Sequence, residues 1–338
     1  MRVAVTGSTG YVGAYTTRAL LDAGHSLRLL VHPDEPLDDA LAAVGIRADE
    51  HEVVSGDICS AEVVAALLEG ADSLVHAAGI VGVDDSREQL MWDVNVDATA
   101  AVLARAVAAG LDPIVHVATY SALFPSPDPV IGPDSPTAVG RSAYGRTKST
   151  ADRIARALQM TGAPVVITYP ASIVGPPAGT RAGISTAGLE AIVKHRIAPS
   201  FTGGMAMIDV RDVADLHAAA MTPGLGPRRF VCGGEMLGFD TIVDVIESAI
   251  GRPIHRVRMA PGLFRAMGRV SDAIAKVHAV SAGFSYEAAW LLTAATPTDD
   301  SAALALLGRP WQSAREALAD SVRGLSPDAQ AAGGPSAT

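Results

Sequence analysis

Arg2-Val3-Ala4-Val5-Thr6-Gly7-Ser8-Thr9-Gly10-Tyr11-Val12-Gly13 decides how the rest of the chain is read. Val3–Thr6 is a β-branched, apolar run of strand type, and Val12–Ala23 carries a helical pattern that Gly24 ends. Between them, Gly7, Gly10 and Gly13 recur at every third residue. Glycines so placed permit a tight turn, bring backbone N–H groups close to a pyrophosphate, and let helix and strand pack tightly. The helix that opens near Tyr11 adds its positive N-terminal end. A glycine pattern alone is a weak signal, but this one follows a strand and opens a helix, the context the motif requires. Gly7, Thr9, Gly10, Tyr11, Val12 and Gly13 are therefore candidate cofactor-binding residues.

Outward from this turn, short apolar strands alternate with Ala/Leu-rich segments, the pattern of βαβ units in a parallel sheet. Expected strands are Ser26–Val31, Glu52–Ser55, Ser73–Ala77, Ile114–Ala118 and Val165–Tyr169. Expected helices are Ala61–Leu68, one long helix over Met91–Ala109, and Tyr144–Thr161. After Pro170 the alternation stops and Pro and Gly accumulate through Gly183. Met207–Val210 and Arg228–Val231 read as short strands, with Val213–Met221 helical between them. Thr241–Ile250, Pro261–Val280 and Ser313–Leu325 read as helices. The expected class is α/β, with a doubly wound parallel sheet and a smaller, partly interleaved C-terminal substrate lobe. Residues 1–175 would form the dinucleotide-binding domain, with 206–234 returning to it. Residues 176–205 and 235–325 would form the lobe, and 326–338, rich in Ala, Gly, Ser and Pro, a flexible tail.

Composition narrows the function. The 338 residues are 49% hydrophobic and 18% charged, with a net charge of −10. That excludes wholesale disorder and lacks the basic footprint of a nucleic-acid binder. No basic run offers anionic lipid a face, and prolines break the longest uncharged stretch, between Arg156 and Arg181, so no membrane partner is expected. Cys59 and Cys232 are the only cysteines, which rules out a disulfide framework or a cysteine zinc site. No metal is expected, and the N-terminus starts a strand rather than a signal peptide, so the expected compartment is the cytoplasm.

The second chemical signal is Tyr144-Gly145-Arg146-Thr147-Lys148. Tyr and Lys at i and i+4 share one helix face. A nearby ammonium would favour the phenolate, lowering the tyrosine's pKa toward a usable proton donor and acceptor. With three lysines and six tyrosines in the chain, chance rarely produces this pair.

Together, the glycine turn and the Tyr-Lys pair resemble the extended short-chain dehydrogenase/reductase superfamily, the NAD-dependent epimerase/dehydratase family. Its fold implies a Rossmann-type sheet. Gly56-Asp57-Ile58 resembles the Asp-hydrophobic pair that flanks adenine, and His76-Ala77-Ala78-Gly79 the turn under the adenosine. Asn95-Val96 with Thr99 resembles the helix start beneath the active site. Tyr169-Pro170-Ala171-Ser172-Ile173-Val174-Gly175-Pro176 resembles the segment that meets the nicotinamide. Met207–Ala214 is similar to a Val-x-Asp-Val-Ala turn, and Thr298–Gly308 with Trp311 to a late Leu-Gly segment. The resemblance thus implies Asp57, Ile58, Ala77, Ala78, Gly79, Pro170 and Ser172 as cofactor contacts, beside Tyr144 and Lys148.

The resemblance also implies hydride transfer between nicotinamide C4 and a substrate carbonyl. Tyr144 would move the proton, Lys148 would hold the ribose, and a hydroxyl after the fifth strand would bind the same oxygen. Thr119 is the first choice for that hydroxyl and Ser121 the second. Asn95 would either support a water relay or cap its helix. Val31 stands where NAD enzymes place a carboxylate for the ribose 2′-OH, and His32 where NADP relatives often carry Arg, so NADP is favoured over NAD.

Dihydroflavonol 4-reductase-like and 3β-hydroxysteroid dehydrogenase-like reductases are the nearest in pattern. They imply a small-molecule ketone, aldehyde or alcohol of hydrophobic character. Sugar dehydratases place Asp-Glu beside the hydroxyl residue, where this chain has Tyr120-Ser121; nucleotide-sugar enzymes carry Asn where it has Ala171-Ser172. The enzyme alternative is a nucleotide-sugar 4-epimerase with tightly bound NAD. A non-catalytic NAD(P)-sensing regulator is the other, although such regulators typically lose the Tyr-x-x-x-Lys pair. Phe201, Met205, Met236, Phe239, Phe264, Met267, Phe284 and Trp290 could line an apolar pocket, with ordinary core the favoured reading. Arg252, Arg256 and Arg258 read as a solvated strand face, and a homodimer through the helices of Asn95 and Tyr144 is the family default.

Overall fold

A computed structural model describes residues 1–82, 87–178, 184–277 and 285–325. Phe284 and the tail expected over 326–338 lie outside the described residues. The first half alternates β1 (Arg2–Thr6), α1 (Tyr11–Asp22), β2 (Ser26–Val31), α2 (Leu37–Ala42), β3 (Glu52–Ser55), α3 (Ala61–Leu68) and β4 (Ser73–His76). It continues with α4 (Glu88–Trp92), α5 (Thr99–Ala108), β5 (Ile114–Val117), α6 (Ala143–Met160) and β6 (Val165–Pro170). Beyond Pro170 come β7 (Ser172–Val174), α7 (Ile184–His195), β8 (Ile197–Ser200), β9 (Gly204–Asp209), α8 (Val210–Ala219) and β10 (Arg228–Cys232). The last elements are β11 (Glu235–Gly238), α9 (Phe239–Ile250), β12 (His255–Arg258), α10 (Pro261–Val277), α11 (Tyr286–Ala294), α12 (Ser301–Leu307) and α13 (Ala314–Gly324).

Seven parallel strands form the central sheet in the order β10-β6-β5-β4-β1-β2-β3, a Rossmann-type arrangement. Strands β4 and β6 are wholly buried because helices cover both faces, whereas edge strand β3 is exposed apart from half-buried Val54. On one face Ala4, Leu74, Ile114 and Ile167 pack with Val102, Leu103 and Ala155 of α5 and α6. On the other, Val3, Val5, Val75 and Val166 pack with Leu20 of α1 and Val213 and Leu216 of α8. Chain order reverses between β1 and β4, so the loops after them part and leave a crevice at the strands' carboxyl ends.

Two local expectations change. β10 joins the central sheet, but β9 pairs with β7 and β11 in a separate three-stranded sheet. The single helix expected over Met91–Ala109 is instead α4, a π-helical turn over Asp93–Ala98, and α5. The wider turn moves Asn95 out of α-helical register, as π-turns at functional positions do. The apolar set of the C-terminal lobe is mostly core: Phe201 stacks on Phe239 at 4.6 Å and meets Phe264 at 4.7 Å. Among the described residues, no helix is long and apolar enough to cross a membrane.

Buried imidazoles tie the layers together. His217 of α8 bridges Thr16 of α1 at 2.8 Å and Thr168 of β6 at 3.0 Å. His76 bridges Thr6 at 2.8 Å and Thr99 at 2.9 Å, and stacks on His116 at 5.6 Å. Burial pushes His76 down to about 3 and His217 down to about 4. The unfolded chain binds these protons near the ordinary imidazole value, about 6.5, and the native chain does not. Stability is therefore fully present above pH ~6.5 and falls on acidification, by about 1.4 kcal/mol per pH unit for each imidazole. The urea midpoint should drop between pH ~6.5 and ~5, before most carboxylates titrate, and His217→Gln should flatten that slope. An unchanged slope in the variant would remove His217 from the account.

Candidate active site

The glycine turn is built by backbone meeting backbone. Gly7 has φ +76°, and a Cβ there would lie 2.6–2.8 Å from the main chain of Ala77 and Ala78. A Cβ at Gly13 would fall 1.8 Å from the Gly7 carbonyl oxygen. The turn closes with the Gly10 N–H donating to the Gly7 carbonyl at 3.0 Å. Gly10 caps α1 without a side chain, and no acidic residue occupies the first turn that holds Tyr11 and Val12, leaving the positive helix end to an anion. Ser8 Oγ beside it is buried without a hydrogen-bond partner. A cradle closed to side chains, an open helix end and an orphaned hydroxyl fit a dinucleotide pyrophosphate.

The remaining residues expected on the cofactor side lie at the carboxyl ends of β2, β3, β4 and β6. Ala77 and Ala78 follow β4, their N–H groups donating to the Thr6 carbonyl and hydroxyl, each at 3.2 Å. Gly79 leaves only 3.2 Å between a Cβ and Asn95 Oδ1. Asp57 and Ile58 form the turn after β3, where Asp57 accepts from the Cys59 N–H at 2.8 Å. Val31, buried at the end of β2, offers no polar atom beyond its backbone, and His32 beyond it is half exposed. Sequence reading missed Glu35, whose carboxylate accepts from the Thr9 hydroxyl and so sits at the rim of the glycine turn. Pro170 ends β6 and Ser172 begins β7.

Three catalytic candidates meet across β5 and α6. Thr119 hydrogen-bonds Tyr144, and its Oγ1 lies 3.2 Å from Ser121 Oγ. Thr119 therefore stands between Tyr144 and Ser121. Lys148 is buried one turn further along α6, its Nζ donating to the Val117 carbonyl at 3.2 Å. The expected lowering of the tyrosine by its lysine is not found. Burial raises Tyr144 to about 12, the Thr119 hydrogen bond opposes that rise, and Glu287 adds to it. Burial also lowers Lys148 to about 8, against the pull of Asp152. Desolvation outweighs the through-space attraction here.

Asn95 ties these parts together. Its Oδ1 accepts from the Ile80 N–H at 2.7 Å, and its Nδ2 donates to the Ile80 carbonyl at 3.0 Å and to Thr147 at 3.2 Å. It therefore joins the loop after β4 to the helix of Tyr144. Tyr169, which sequence reading left uninterpreted, is wholly buried and donates to Asp152 at 2.6 Å. Arg156 bonds the same phenol at 3.1 Å and pairs with Asp152 at 2.9 Å. Tyr144, Lys148, Asp152 and Arg156 follow at four-residue intervals, so this network anchors the catalytic face of α6 to β6.

A model of the NAD dependent epimerase/dehydratase family matches residues 3–233. The chain is 28% identical over 327 residues to "Sterol demethylase protein B" of Methylococcus capsulatus, covering 95% of this chain and 97% of that one. It is 31% identical over 160 residues to a 3 beta-hydroxysteroid dehydrogenase/Delta 5→4-isomerase of Mycobacterium tuberculosis, covering 45% and 41%. UDP-glucose 4-epimerase of Bifidobacterium longum, solved with NAD+ and UDP, superposes with TM-score 0.72 at 18% identity over 96% of this chain and 98% of that one, a likeness of fold. The matched family model, the parallel sheet with its glycine turn, and the Tyr144–Lys148 pair agree: the chain belongs to the NAD dependent epimerase/dehydratase family, in the extended short-chain class of NAD(P)-dependent oxidoreductases and epimerases.

Proposed function

We propose that this enzyme reduces the carbonyl of a hydrophobic ketone or aldehyde, or oxidises the matching alcohol, with NADP(H) as its cofactor. The observation that carries the reading is Tyr144, hydrogen-bonded to Thr119 and one helical turn from Lys148, in a chain that also holds the glycine turn. When bound, the nicotinamide supplies or accepts the hydride. Tyr144 donates the proton to the carbonyl oxygen in reduction, and its raised pKa keeps it protonated for that step. Thr119 hydrogen-bonds the same oxygen and orients the phenol, with Ser121 supporting Thr119. Lys148 would hold the ribose hydroxyls of the bound cofactor, and Asn95 fixes the loop after β4 against the helix of Tyr144.

The hydrophobic substrate class draws on the sterol and steroid wording in the names of the relatives and on the aromatic residues behind Thr119. Tyr120 stacks on Phe124 at 5.8 Å, and Phe124 meets Trp290 at 5.6 Å. The connection from β5 to α6 holds a cavity of about 390 Å³ lined by Pro125, Pro127, Pro136 and Val139 among others. The nucleotide-sugar epimerase reading keeps the same proton-transfer pair and is supported by the likeness of fold and by 28% identity over 270 residues to a UDP-glucose 4-epimerase of Mycolicibacterium smegmatis. NADPH or NADH oxidation against aromatic, steroidal and aliphatic ketones, beside UDP-sugar epimerisation, separates the two. Tyr144→Phe should cut turnover by roughly 10²-fold or more while cofactor affinity, read by fluorescence titration, stays near wild type. Turnover kept in the variant would remove Tyr144 from the mechanism.

NADP preference rests on Val31, since no carboxylate at the end of β2 repels a 2′-phosphate. Asp34, 3.7 Å from His32, and Glu35 at Thr9 oppose it. Val31→Asp should move the ratio of NADPH to NADH dissociation constants toward NADH, and Glu35→Gln should move it the other way. A ratio unmoved by Val31→Asp would overturn the assignment of that position. The chain is further expected to form a homodimer through the helices of Asn95 and Tyr144, and a sedimentation mass of one chain would reject this.

A further inference from the structure

Helix α10 is assembled with its apolar stripe facing out. Phe264 is buried, and Gly268 packs so tightly on α11 that a Cβ there would lie 2.7 Å from Tyr286 Cα. Leu263, Met267, Val270 and Ile274, at i, i+4, i+7 and i+11, are 56%, 47%, 58% and 52% exposed. A surface helix ordinarily turns such a stripe inward. Ala266 and Ala273 are exposed along one margin of the stripe, and beyond them Arg265 and Arg269 form a basic row one turn apart.

The charge around the stripe is opposite to that of the whole protein. From Arg252 to Val277 there are six Lys or Arg and one acid, Asp272, a net charge of +5 within a chain of net −10. Arg258 lines a cavity of about 620 Å³ at the start of α10 with Ser200, Thr202 and Pro261. Among the described residues, Arg258 and Arg265 form no ion pair, whereas Arg256 is held by Asp244 and Glu247.

We propose that α10 is an interfacial helix that docks this protein on an anionic lipid surface. The stripe enters the acyl boundary while Arg265 and Arg258 meet lipid phosphates, Arg269 being held over the Tyr286 ring at 4.7 Å. A second copy is the poorer occupant, because an antiparallel two-fold contact of this stripe would set each basic row against its own equivalent. The expectation of no membrane partner came from the lack of a contiguous basic run and of a spanning segment; the arginines here are spaced along the chain, and only the fold gathers them beside the stripe. Docking would hold the site close to the surface: α11, packed on α10, carries Glu287, whose carboxylate accepts from the Ser142 N–H at the start of α6 at 2.6 Å.

The test is co-sedimentation of the full chain with phosphatidylcholine vesicles and with vesicles that also contain phosphatidylglycerol. Binding should appear on the anionic vesicles, weaken with salt, and fall roughly fivefold on Arg265→Gln. The double variant Met267→Gln/Val270→Gln should lose roughly tenfold or more while its thermal melting stays unchanged, since both side chains are exposed. No binding to either vesicle, equal binding to both, or full binding by the double variant would overturn the proposal. So would a wild-type dimer that the double variant converts to monomer, which would assign the stripe to a second copy.

Discussion

The glycine turn after β1 and the loop after β4 meet backbone to backbone, with Gly7 resting on Ala77 and Ala78 and Gly13 on Gly7. No side chain fits at either contact, so helix α1 starts directly from the sheet and its unpaired N–H groups point into the crevice. Everything on the cofactor side is referred to that contact. The Thr6 hydroxyl bonds Ala78 and His76, and the loop that continues from Ala78 is gripped at Ile80 by Asn95. Asn95 in turn holds Thr147 on the helix of Tyr144. Hydrogen bonds and the short loop between them thus link the glycine turn to the helix that carries Tyr144.

The electrostatics follow from the same compactness. Polar groups under the helices are buried, so His76, His116 and His217 are held neutral, Tyr144 is held protonated and Lys148 is made easier to deprotonate. Desolvation acts on each in the direction that removes charge, and only hydrogen bonds or a fixed opposite charge resist it. Asp152 supplies that charge along α6, and it is itself kept by Tyr169, Thr137 and Arg156. Tyr169 is therefore structural, a buried strut between the sixth strand and α6.

Much of this was legible in the sequence because it depends on local order. The glycine spacing, the apolar strands and the Tyr-Lys interval depend on residues within a few positions of one another, and periodicity reports such relations directly. The family assignment followed from those motifs in their order along the chain. Less legible were the short strands after Pro170, whose pairing partners lie far away in the chain, and the π-helical turn at Asn95, which local propensity does not distinguish from α-helix.

What the sequence determined by itself was therefore the parallel α/β sheet, the cofactor turn and the residues able to move a proton. The tertiary structure decided which hydroxyl meets Tyr144, what Asn95 and Tyr169 hold, that Glu35 reaches the glycine turn, and that α10 turns its apolar stripe outward. Each of these depends on burial or on contacts between distant segments. A helix's apolar stripe is written in its sequence, but whether the stripe faces the core or the solvent is set by what packs on the other side.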